Sequence, residues 1–386
     1  MRTPSLITIS VGAIVAGAAV LAVRPPTPGR HIEVPSALRQ GAPSPAPSPA
    51  PSPAATPAAP RTQAQPRAQT AARPLAPVTP PAASAWAVPD PDTLPADDIF
   101  AQTVRRGRDL IAKTSSLIGP DAPDPAMRFA GNGLTCQSCH LQAGTQQYGL
   151  PLAGVWGVFP QYIGRENEVR TLEERVNGCM ERSMNGHALP ADGPEMKAII
   201  TYIRYISGPQ QVGKSLQGRG APALPLLDRA ADPERGRKVF AETCAVCHGA
   251  DGQGQRLEAA DAAEQGRRYQ FPPLWGPDSY NDGAGMGRTM TAARFVHANM
   301  PLGTTWEQPQ ISAEDAYDVM AFVNAQPRPH RANLEADYPD RSKKPVDAGY
   351  APFVGPFSPE QHKLGPWKPI QDWLKANADQ VRAAGP

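Results

Sequence analysis

Cysteine is scarce in this chain, five residues among 386, and aromatic residues supply only 6% of it. Neither sign of charge dominates: the formal net charge is +2, which excludes the basic footprint of a nucleic-acid binder. From Pro25 to about Asp92 there are too few large apolar residues to bury a core. That stretch is rich in Pro, Ala, Ser, Gln and Thr, repeats Pro-Ser-Pro-Ala near Pro43–Pro53, and holds much of the chain's 47 prolines. Its composition predicts a disordered, polyproline-like tether with a reach on the order of 200 Å.

The few cysteines are not scattered. Cys136-Gln137-Ser138-Cys139-His140 and Cys244-Ala245-Val246-Cys247-His248 are both C-x-x-C-H runs. This is the attachment signature of a c-type haem: the thiols add across the vinyl groups and the adjacent His becomes the proximal iron ligand. A single C-x-x-C suits a zinc pair or a redox dithiol. Two such pairs, each followed at once by His and lying a domain apart, fit neither. Two covalently bound haem c groups follow, on Cys136, Cys139, Cys244 and Cys247, with His140 and His248 as proximal ligands. Each half is small for a self-sufficient core, and a haem supplies the apolar area that sparse aromatics do not.

Two haems leave one thiol over, Cys179, inside Asn177-Gly178-Cys179-Met180-Glu181-Arg182-Ser183-Met184-Asn185. It is a buried inert thiol, half of an intermolecular disulfide, or a distal ligand to the first haem. The neighbours favour the ligand. No Met-Pro segment suited to a distal loop lies between His140 and the end of this half, although Met180, Met184 and Met196 are present. On a helix, Arg182 and Ser183 would share the face of Cys179. For the second haem, Met300 in Ala298-Asn299-Met300-Pro301-Leu302-Gly303 is the expected distal ligand, with Met286, Met290 and His297 as less well placed rivals. His/Met ligation raises a haem potential and a thiolate lowers it.

The organisation reads as follows. Residues 1–24 contain an apolar run, Leu6–Val23, near the lower length limit of a spanning helix. No good small-x-small cleavage site ends it, and Arg24-Pro25-Pro26 follows, which favours an uncleaved anchor over a cleaved signal. Either way the rest is exported, in keeping with haem attachment outside the cytoplasm; the expected location is the periplasm, at the inner membrane. Residues 25–94 form the linker. Then come a first cytochrome c domain over 95–208, a linker over 209–231, a second domain over 232–329, and a tail over 330–386 whose Phe353, Phe357, Trp367 and Trp373 predict packing over the domains. The fold class is mainly α: two tandem cytochrome c-type domains with long loops.

Both halves share one plan of helix, C-x-x-C-H, loops, distal segment and closing helix. Ile99–Leu117 reads as a helix, and Arg165–Arg175 as a charged one. Asp192 with Glu195 suggests a capping box before a helix carrying Met196, Ile199, Ile200, Ile203 and Ile206. Arg294–Met300 reads as helical, and Ser312 with Asp315 caps the last helix of the second half.

Cys136–His140, Gly154–Tyr162, Asn177–Gly186, Cys244–Gly254, Pro272–Gly285 and Asn299–Gly303, with Lys344–Pro345 and Pro366–Ile370, together resemble the thiosulfate dehydrogenase (tetrathionate synthase) family of periplasmic dihaem c-type cytochromes. The resemblance covers about Asp98 to Ile370. It implies a His/Cys haem at the active site and substrate-binding residues Arg165, Ser183, Arg182 and Gln147. It also implies a sulfur adduct on Cys179 that a second thiosulfate attacks. The plain alternatives are a solvated charged face for Arg165 and a surface hydroxyl for Ser183. Some relatives carry a Lys beside the second-haem Met and exchange the two; Asn299 stands there in this chain, so no such switch is expected. Expected partners are thiosulfate or tetrathionate, a periplasmic or membrane redox partner, and the membrane through the N-terminal segment. Two other functions remain open: a dihaem electron carrier without a substrate, and a covalent sulfur carrier of another oxidation system.

A pyridine haemochrome assay should return two haems per chain. One haem, or none, would refute the motif reading.

Overall fold

The computed structural model describes residues 86–210 and 212–383. The Leu6–Val23 segment and most of the linker therefore lie outside the described residues. Residues 86–94, expected as the end of the linker, are ordered. Trp86 donates its indole N–H to the Thr145 carbonyl at 3.0 Å, and Val88 and Leu94 pack on the first core. The linker composition carries no warning of this, because one buried Trp and a short turn at Pro91–Thr93 suffice to anchor it.

Two helix pairs frame the molecule. Ile99–Ala112 crosses Pro194–Ile206, and Pro233–Val239 crosses Ala313–Ala325. A glycine sits at each crossing. A Cβ on Gly107 would stand 2.0 Å from the Ala198 carbonyl oxygen, and one on Gly236 would stand 1.9 Å from that of Asp318. Neither position can hold a larger residue without parting its helices. The repeated plan is thus a repeated packing device.

The first helix is shorter than expected. It ends at Ala112, and a separate turn, Thr114–Ile118, follows a break at Lys113. The reason is Thr114. Its hydroxyl donates to the Leu110 carbonyl at 2.7 Å and accepts the Cys136 backbone N–H at 3.0 Å, so it ties the helix end to the first haem-attachment turn. Arg165–Arg175 is not one helix. Gln161–Ile163 and Glu168–Arg170 pair as an antiparallel hairpin, with Tyr162 opposite Val169. Asn167 takes a left-handed conformation (φ 59°) at the turn and accepts the Tyr162 hydroxyl at 2.7 Å. The helix begins only at Leu172, where Thr171 and Glu174 form a reciprocal capping box.

The Asp192 box does not form either. Gly193 is the N-cap and Pro194 the first helical residue, a start that needs no side-chain cap. Met196, Ile199, Ile203 and Ile206 are buried as their spacing requires. The helix before Met300 spans Thr289–Asn299, longer than expected, and Met300 stands just beyond it in extended backbone. Ser312 caps Ala313–Ala325 through the Asp315 N–H, as read.

The segment taken as a second linker is part of the core. Leu224 and Leu227 join a cluster with Tyr317, Trp367 and Ile370. The tail packs over the domains, as expected. Trp367 is fully buried, tilts against Tyr317 at 5.5 Å and donates to the His362 carbonyl at 2.9 Å. Trp367→Ala should destabilise the protein by about 3–5 kcal/mol in denaturant titrations, the usual cost of emptying a large aromatic site. A change under about 1 kcal/mol would mean that the tail is not integral to the fold.

Candidate active site

The helix Leu172–Arg182 carries Cys179, and its Glu174, Arg175, Asn177, Gly178, Glu181 and Arg182 line a cleft of about 670 Å³; Cys179 itself is not in the lining. One wall is the hairpin turn with Gly164 and Arg165, and the other is the tail at Tyr338 and Lys343. Six cations line it, Arg165, Arg170, Arg175, Arg182, Arg331 and Lys343, against Glu166, Glu174 and Glu181. Several cations are already committed. Arg170 pairs with Glu168 and Glu174, Arg331 with Glu181, and Arg182 with Asp337. Arg175 and Lys343 have no carboxylate within 4.0 Å among the described residues.

Cys179 has two close polar neighbours. Arg175, one helical turn back, donates from Nη1 to its sulfur at 2.9 Å. The His140 ring is the second. Burial pushes the thiol up, but Arg175 and His140 outweigh it and bring it down to about 6. Burial alone dominates at Cys136 and Cys139, which rise to about 11 and about 12. Arg175 and His140 thus favour the thiolate form of Cys179.

Both proximal histidines are oriented in the same way. His140 Nδ1 meets the Leu150 carbonyl at 2.5 Å, and His248 Nδ1 meets that of Pro272 at 2.8 Å. Each bond fixes the tautomer and leaves Nε2 for a metal. In the first half the same ring is a neighbour of the Cys179 sulfur. The other methionines of this half are occupied elsewhere: Met180, Met184 and Met196 are buried in the first core. In the second half Met286 and Met290 pack into apolar clusters, whereas Met300 stands at the helix end in none of them.

The remaining site residues divide. Arg165 lines the cleft. Arg182 also lines it, but both its Nη atoms bond the Asp337 carboxylate, at 2.9 and 2.7 Å, so it is a buried structural cation. Ser183 caps the helix through its backbone N–H. Gln147 is absent from the lining; its side chain packs against Gly218 and Trp86. Arg175 was missed because only the C-terminal neighbours of Cys179 were weighed. The same four-residue helical spacing, counted backwards, finds it.

Comparison with known proteins agrees with this geometry. Residues 128–212 match the family model "SoxA/TsdA, cytochrome c domain", and residues 233–327 match "Cytochrome c". A thiosulfate dehydrogenase of Allochromatium vinosum is 40% identical over 253 residues, covering 64% of this chain and 86% of that protein. One of Thiomonas intermedia is 37% identical over 262 residues, covering 66% and 77%. The chain belongs to the thiosulfate dehydrogenase family. The solved structure of thiosulfate dehydrogenase (TsdBA) from Marichromatium purpuratum, in its as-isolated form, superposes with a TM-score of 0.56 at 35% identity. That match covers 64% of this chain and half of the solved one.

Members of this family with both cytochrome domains carry two covalently bound haem c groups, and the donor set fits them here. Two unpaired thiol pairs stand next to two histidines with oriented rings. In this dehydrogenase the Arg175 bond should tune the first haem. Arg175→Gln would leave the Cys179 thiolate a stronger donor to iron and favour the ferric state. The expected result is a midpoint potential lower by on the order of 100 mV, since a hydrogen bond to a charged group is worth about 1.5–3 kcal/mol. An unmoved potential in a spectroelectrochemical titration would rule out that influence.

Proposed function

We propose that the protein joins two thiosulfate dianions through their sulfane sulfurs to give tetrathionate, releasing two electrons. The observation that carries this is Cys179, hydrogen-bonded by Arg175 and beside His140, with Arg175 itself lining a cleft that holds more cations than carboxylates. Two dianions repel strongly when brought together in a site partly screened from water. Arg175, Lys343 and Arg165 offset that repulsion, and a guanidinium offers two parallel N–H donors to sulfonate oxygens. Fixed charges of this kind need no reorganisation as the new S–S bond forms.

Two bound haems would each accept one electron; Cys179 would hold the first at low potential and Met300 the second at a higher one. His140 and His248 hold the proximal sides. With Asn299, and no Lys, before Met300, the chain offers no neighbouring amine that would exchange with the thioether. Electrons then leave to an external redox partner. The export of the chain and its anchoring at the inner membrane rest on the Leu6–Val23 run without a cleavage site. N-terminal sequencing of mature protein that began after Val23 would refute the anchor.

Cys179 separates an enzyme from a mere carrier. Haem attachment uses Cys136 and Cys139, so Cys179→Gly and Cys179→Met should keep two haems and a folded chain. Both should lose tetrathionate formation with an artificial acceptor by about two orders of magnitude or more. Near-normal turnover in either variant would reduce Cys179 to a packing or tuning residue.

A further inference from the structure

Arg165 does not hold itself in the cleft. Its Nε donates to the Tyr338 hydroxyl at 3.4 Å and lies 3.8 Å from the Asp337 carboxylate. Its guanidinium stacks over the Tyr338 ring at 5.7 Å, and its backbone carbonyl accepts the Tyr338 N–H at 2.7 Å. Among the described residues neither Nη of Arg165 has a protein hydrogen-bond partner. One edge of the guanidinium is thus tied to the tail, and the paired N–H groups of the other edge are left over. Burial works against its charge, but Tyr338, Tyr350 and Asp337 outweigh that and keep it protonated.

Asp337 is itself built in. It is buried, takes both Nη atoms of Arg182, and accepts the Tyr350 hydroxyl at 2.7 Å. The two family models match residues 128–212 and 233–327, so this wall of the cleft lies beyond both. We infer that Asp337 and Tyr338 of the C-terminal segment are positioning residues for substrate: they aim the free edge of Arg165 at a sulfonate group in the cleft. The inference rests on the thiosulfate reading of that cleft.

The probe is tetrathionate binding to the oxidised holoprotein, followed by calorimetry. The titration is made in a Cys179→Gly background, where no thiolate can displace thiosulfate from tetrathionate and no electrons are available to reduce it, so the cleft is measured apart from turnover. Asp337→Asn should weaken binding at least about tenfold, and Tyr338→Phe about threefold, as expected for loss of a charge-assisted and a neutral hydrogen bond respectively. With Cys179 in place, thiosulfate KM should rise by similar factors while kcat falls less than about threefold, the signature of lost binding and not of lost chemistry. Tyr338→Phe removes one hydroxyl and should melt as the wild type does, which covers the case in which Asp337→Asn fails to fold. Unchanged affinity in Tyr338→Phe, with either unchanged affinity or no fold in Asp337→Asn, overturns the inference. If the Cys179→Gly protein does not bind tetrathionate and the wild type does not form it from thiosulfate, the functional reading falls and takes this inference with it.

Discussion

The buried ion pair between Arg182 and Asp337 joins two parts of the chain that lie 155 residues apart. Arg182 closes the helix that carries Cys179; Asp337 opens the tail. Taking both charges out of water is costly, and the attraction balances that cost only because the geometry is bidentate. Tyr350 and the Gly283 carbonyl satisfy the remaining lone pair and N–H. Such a pair adds little to stability over an apolar substitute, but neither partner can be lost alone without stranding a charge. The arrangement therefore acts as a register pin. It sets where the tail meets the helix, and the cleft exists only in that register.

The two halves are pinned to one another in the same manner. Asn281 donates to the Glu181 carbonyl and to Asn185, Asn132 reaches the Ser279 carbonyl, and Arg268 bridges Asp121 and Asp278. Tyr280 and Ala284 of the second half are members of the first half's core. Small haem domains that cannot bury enough surface alone thus share one.

Much of this was legible in the sequence. The attachment motifs and the closing helices could be read because their signals are local: fixed spacing, helical periodicity and a Ser-x-x-Asp cap. The failures were of two kinds. At Arg165–Arg175 a charged run masked turn chemistry, though Asn167 and the Thr171–Glu174 box were present in it. At Arg182, Gln147 and Asp337 no local signal exists. Arg182 looks like a substrate cation until its partner is seen, and that partner lies in a tail whose aromatics announced packing but not purpose.

Asn299 ends the helix before Met300. Its side chain accepts from Gln146 at 2.8 Å and donates to the Tyr148 carbonyl at 3.1 Å, while Trp306 lies 4.7 Å from the Tyr148 ring. The short run from Gln146 to Leu150 also supplies the carbonyl that orients His140. It is stiffened by left-handed backbone at Tyr148 and Leu150. The carbonyl that orients His140 and the groups that hold Asn299, next to Met300, consequently belong to one five-residue piece of main chain. Viewed as a mechanism of levers, His140 in one half and Asn299 in the other have a common fulcrum in this piece.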